Sequence, residues 1–248
     1  MDRKPDAGRA GPVVMLGILF RMQLARLRQS WRPYLVVSAV MPAGIVLLLH
    51  LVDPHMSLSL RQQVVWGAML LAASISGIVM LSQHVAHLKA SGALDHYRVL
   101  PVSLAGLILV LAVVYGLFAW PGILLIGLEG AWLDHVAWSA GPAWVAVFLL
   151  EGLALGGIGA LIGLLAPQEG LAGLFGNLVM MGVLFGGMVP LPPGPVRLAA
   201  DLLPSGFGLA LLRSLALGQP AGGGLWAGLT AYALVVWALA SRVVARPE

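Results

Sequence analysis

Six long apolar runs, at 34–52, 63–84, 102–128, 142–165, 170–190 and 223–241, constrain this chain more than any motif in it. A helix that crosses a bilayer needs about 20 mostly apolar residues, because without water every backbone polar group must be paired inside the segment. A water-soluble domain carries roughly a quarter charged residues and about half apolar ones. Here 248 residues hold 60% hydrophobic and only 10% charged side chains, and the mean hydropathy is +0.95. The expectation is an all-α integral membrane protein of six transmembrane helices, forming one domain over 1–248. The last run is the shortest, and Trp226 and Trp237 suit its two interfaces.

Two segments are amphipathic or broken rather than spanning. Arg3, Lys4 and Arg9 followed by "VVMLGILF" imitate a signal peptide, but "RMQLARLRQSWR" follows where a small-residue cleavage site would stand, so no cleavage is expected. Leu16, Leu19 or Phe20, Leu24, Leu27 and Trp31 recur at helical spacing, opposite Arg21, Arg28 and Arg32. This pattern predicts an N-terminal amphipathic helix over 12–32, lying in the headgroup layer. Between the fifth and sixth runs, 191–222 is apolar but cut by Pro192, Pro193, Pro195, Pro204 and Pro220. It reads as two short helices that enter the membrane and return, tolerated at that depth only against protein or a wet cavity.

Basic residues give the orientation. With a cytoplasmic N-terminus, the inner segments hold Arg3, Lys4, Arg9, Arg21, Arg26, Arg28, Arg32, Lys89, Arg98, Arg242 and Arg246, and the outer ones only Arg61, Arg197 and Arg213. The positive-inside rule therefore predicts cytoplasmic termini and a cytoplasmic loop at 87–101.

Several chemistries are disfavoured. A formal charge of +4, spread along membrane flanks, argues against nucleic acid as a partner. With no cysteine there is no disulfide, thiolate nucleophile or thiolate metal site. No G-x-x-x-x-G-K-[ST] phosphate loop occurs, so this chain does not hydrolyse ATP by that route. His84, His87 and His96 lack an H-E-x-x-H pattern or an acidic third ligand, so no metal is expected. "ASISG" has alanine where a serine-nucleophile motif needs its first glycine.

Within the spans, Glu151 stands out in "VFLLEGLALGG". A carboxylate there costs several kcal/mol if it meets lipid, so it faces a translocation path or hydrogen-bonds to a neighbouring span. Asn177 poses the same choice more mildly. Gly152, Gly156, Gly159 and Gly163 form a stripe in the fourth run, repeated by Gly182 and Gly186 in the fifth, and such stripes let helices approach closely.

The 87–101 insert is too polar for lipid. Ser91 or Gly92 ends one helix, Ala93 to Leu100 supplies a turn or two, and Pro101 stops it. Here "KASGALDHYRVLPVSLAGLILV" resembles the G-x-L-(D/E)-x4-(T/L)-P-(L/V)-S segment of ABC-2 type transporter permeases. The six-span plan, the N-terminal amphipathic helix, "GLLAPQEGLAGLFGNLV" and "LLPSGFGLALLRSLALG" extend the resemblance over most of the chain. Glutamates are frequent in that family upstream of the glycine, where this chain has "QHVAHLK".

The resemblance implies a permease subunit of an exporter in the plasma (inner) membrane. It implies pairing with a second copy or a similar subunit, and drive by a separate ATPase subunit that carries the ATP and Mg. Gly92, Leu94, Asp95, Tyr97, Arg98, Leu100 and Pro101 would then form the ATPase-coupling segment. Leu94, Tyr97 and Leu100 would offer it one apolar edge. Glu151 and Asn177 would belong to the translocation path. Two other classes stay open: a membrane-embedded enzyme using Glu151 or the cytoplasmic histidines, and a non-catalytic scaffold or immunity protein.

Overall fold

A computed structural model describes residues 12–27, 31–98, 103–136, 138, 141–189 and 191–245, and every regular element among them is helical. The order is α1 (Pro12–Leu27), α2 (Trp31–Val52), α3 (Leu58–Ser74), a π-helical turn (Ile75–Met80), α4 (Leu81–Ala90), α5 (Ala93–Arg98), α6 (Leu104–Leu133), α7 (Pro142–Leu165), α8 (Glu169–Met188), α9 (Pro195–Asp201), α10 (Pro204–Ala216) and α11 (Gly223–Val244).

Five helices are long and apolar enough to cross a membrane: Leu58–Ala90, Leu104–Leu133, Pro142–Leu165, Glu169–Gly186 and Gly223–Val244. They correspond to the second to sixth apolar runs. The first run lies in α2, whose apolar stretch Val36–Val52 is shorter than these. The segment 191–222 forms two helices meeting at 78°. Pro204 causes the break, since a residue before proline is pushed out of the helical region, and Leu203 is extended at φ −73°, ψ 156°. Gly206 lets the two helices close: a Cβ there would stand 2.7 Å from Asp201 Cα.

The continuous Leu58–Ala90 helix is the centre of the bundle, with 94% of its most apolar window buried. Such a helix is apolar on all sides because protein surrounds it on all sides. Its 33 residues rise about 50 Å at about 1.5 Å each, well beyond the roughly 30 Å hydrocarbon layer. The ends are accordingly polar, with Arg61, Gln62 and Gln63 at one and His87 and Lys89 at the other. Helices α6, α7 and α8 pack around it, α11 covers α7, and α2 covers α6.

The glycine stripe of α7 is where this packing is tightest. A Cβ at Gly159 would strike the Gly77 carbonyl oxygen in the π turn, and one at Gly163 would stand 2.6 Å from Ser82 O. In α8 the close approach falls on Gly173 and Gly176, against Gln83 and Ser82. Gly182, expected to serve that purpose, has open space around it.

Of the helix expected over 12–32, Pro12–Leu27 is helical and Trp31 and Arg32 lie in α2, while residues 28–30 lie outside the described ones. The buried face of α1 carries Leu19 and Gln23, while Leu24 is exposed with Ile18 and Met22. The third span continues past 128 to Leu133, taking Glu129 into the helix. The indole N–H of Trp237 donates to Leu153 O at 2.9 Å and ties α11 to α7.

Candidate functional site

Three places combine polar groups with exact positioning. The first is the elbow after α4. The chain leaves the central helix through Ser91 and Gly92, where Gly92 has φ 68°, a left-handed conformation that glycine adopts without steric cost. The six-residue α5 follows. Leu94 is turned into the bundle core, 7% exposed. Tyr97 is half-buried, and its hydroxyl accepts from Gln23 Nε2 of α1 at 3.3 Å.

These contacts correct the expected apolar edge: Leu94 and Tyr97 fasten α5 to the protein. The backbone of Asp95 and Arg98 lies in α5, while Leu100 and Pro101 fall outside the described residues. The last turn of α4 is tied to the α7–α8 turn. Lys89 Nζ donates to Leu164 O at 2.9 Å, and His87 Nδ1 is 3.1 Å from Glu169 Oε2. The elbow thus joins α1, the central helix, α7 and α8 at one end of the bundle. His84 is not part of it, for its ring packs against Tyr115 at 5.6 Å.

The second place surrounds Glu151. Its side chain is fully buried, and neither carboxyl oxygen has a hydrogen-bond partner among the described residues. It points at α10, where Gly208 makes room: a Cβ on Gly208 would stand 2.9 Å from Glu151 Oε2 and 3.1 Å from Leu70 Cδ2. The hydrogen bond to a neighbouring span that the sequence allowed is not made. The acid instead sits against α10. Asn177 behaves differently again, exposed on the outer face of α8, away from Glu151.

The third place was not anticipated. At the opposite end from the elbow, α6 ends in a turn where Val136 N donates to Gly130 O at 3.0 Å and His135 takes the left-handed φ of 53°. This turn presents Asp134 to two other helices. His50 Nδ1 of α2 lies 2.8 Å from Asp134 Oδ1, and Arg61 Nε of α3 lies 3.8 Å from it. Arg61 also donates to Pro54 O at 2.6 Å. Sequence reasoning missed the cluster because its members are far apart in the chain and each sits beside a span end, where a lone polar residue is ordinary. The only signal was three polar residues at what topology makes the same end.

Basic side chains therefore stand at both ends of the bundle. Arg61, Arg197 and Arg213 stand at the α3 start, and His87 and Lys89 at the elbow. Among the described residues, no three histidine, aspartate or glutamate side chains gather closely enough to hold a metal ion. Comparisons with protein-family models, curated proteins and solved structures give no match to this chain.

Proposed function

We propose that this chain is the membrane-spanning permease subunit of an ATP-driven exporter of the ABC-2 type, with α2 as a sixth span and both termini cytoplasmic. The observation that supports this best is the elbow. A short helix hangs between two spans, fixed by Leu94 and by Tyr97 to α1, while the last turn of α4 that leads into it is tied to α7 and α8. A push on it from a soluble subunit would be carried along the rigid Leu58–Ala90 helix to the π turn, where α7 crosses at Gly77 and Gly159. Such turns recur at functional hinges. Leu94 and Tyr97 act by holding α5, and exposed Ala90 and Ser91 flank the surface that receives the partner.

A second copy, or a similar subunit, packs on the outer face of α8. Asn177 lies there among exposed Leu174, Leu178 and Met181, and a primary amide facing lipid is satisfied best by another helix. Glu151, opposite α10, responds when the re-entrant helices move. The test is affinity purification of the full chain from its native membrane, with and without tryptophan at Ala90 and Ser91. A phosphate-loop ATPase should co-purify, and the double variant should retain it roughly tenfold less, the effect of about 1.4 kcal/mol of contact energy. A chain that purifies free of any ATPase supports the enzyme or scaffold classes instead.

A further inference from the structure

At the end where α3 begins lies a cavity of about 720 Å³, walled by the first turns of α3 on one side and by α9 and α10 on the other. Small-molecule sites occupy roughly 300–1,000 Å³. The lining is divided by chemistry. Its exposed polar rim carries Arg197, Asp201 and Arg213, with Gln62 and Gln63 half-buried beside them. Its floor is apolar: Trp66 is 2% exposed and held edge-on against Trp144 at 6.4 Å, with Leu60 and Leu209 alongside.

The rim is cationic. Asp201 lies 3.8 Å from Arg197 one turn earlier on α9 and offsets that guanidinium. Arg213 has no carboxylate within ion-pair distance among the described residues, so one guanidinium is left uncompensated. Guanidinium and amide groups supply a surplus of donors, and the complement of such a rim is an acceptor-rich anion. The complement of the floor is hydrocarbon.

We propose that this cavity binds an anionic amphiphile, its phosphate or carboxylate head at Arg213 and its chain along Trp66, Leu60 and Leu209. The inference does not depend on a partner ATPase, since the cavity lies wholly within this chain. The same chemistry is offered by a lipid of the surrounding bilayer and by a soluble single-chain amphiphile, so both serve as probes.

Native mass spectrometry of the purified full chain in neutral detergent would read retention of phosphatidylglycerol, phosphatidylcholine, dodecyl phosphate and dodecanol. Net-anionic phosphatidylglycerol should outlast zwitterionic phosphatidylcholine, and dodecyl phosphate should outlast uncharged dodecanol. Arg213→Gln should reduce that retention roughly tenfold, as loss of about 1.4 kcal/mol would. Ala210→Phe, which fills the cavity, should do the same, and unliganded melting temperatures would report that both variants fold. Retention of phosphatidylglycerol alone identifies the bilayer as the source, and retention of dodecyl phosphate a soluble one. Equal retention of the net-anionic and the net-neutral probes, or retention unchanged by Arg213→Gln, would overturn the proposal and leave the arginines as interfacial anchors. Displacement of the bound amphiphile by inorganic phosphate alone would overturn the role of the apolar floor.

Discussion

Glu151 is buried without a hydrogen-bond partner among the described residues, and that single fact changes what its substitution should do. Leaving a polar group buried and unpaired costs about 1–3 kcal/mol, more if it is charged. Glu151→Leu removes that cost while filling similar volume, so the variant should melt higher by about 1–3 kcal/mol of stability. Had Glu151 been hydrogen-bonded to another span, the same change would destabilise the fold. Differential scanning fluorimetry of the purified protein separates the two, and a lower melting temperature for Glu151→Leu contradicts the description. The transport reading adds that Glu151→Gln and Glu151→Leu both assemble yet lose export, because a buried group with no structural partner is retained for its chemistry. The acid itself was legible in the sequence as an exception to an apolar run. Its neighbour Gly208 was not, because a glycine in "LLPSGFGLALL" carries no sign of what it makes room for.

At the scale of helices, the glycines of α7 divide by what a methyl group would meet. Gly159→Ala drives a Cβ into the Gly77 carbonyl, and overpacking of this kind costs about 1–3 kcal/mol. Gly152 has nothing within 4 Å, so Gly152→Ala should be neutral or stabilise by up to about 1 kcal/mol through helix propensity. Thermal melts of the two variants check the pair, and equal effects would contradict the crossing of α7 over the π turn. At the elbow, Gly92→Ala forces a side chain into the left-handed region at a cost of roughly 1–2 kcal/mol. On the transporter reading it should weaken coupling to a partner ATPase more than it weakens the fold.

The spans were legible because apolar length is a one-dimensional property, and the 191–222 break because proline acts locally. The cluster of His50, Arg61 and Asp134 depends on which span ends meet, and that is decided by tertiary packing. Leu94 and Tyr97 stand at helical spacing, but spacing alone does not say whether a face turns toward a partner or toward its own protein.

For the whole molecule, charge and packing agree on two ends, one with the elbow and one with the amphiphile cavity. On the orientation that the positive-inside rule predicts, the elbow would be cytoplasmic and the cavity would face outward. Because the chain has no native cysteine, single cysteines at exposed Ser91 and Gln219 report sidedness without background. An impermeant maleimide should label Gln219→Cys in intact cells and Ser91→Cys only after lysis. The reverse pattern would invert the topology and remove the elbow from contact with a cytoplasmic ATPase.

The most direct test of the account is site-specific photo-crosslinking in the native membrane, with the photoreactive residue at Ser91 of the elbow and, as a control, at Gln219 of the opposite end. The account predicts that Ser91 captures a chain bearing a phosphate-loop motif and that Gln219 does not. Capture of no nucleotide-binding chain at Ser91, from a protein whose melting temperature matches that of the unsubstituted chain, would contradict it.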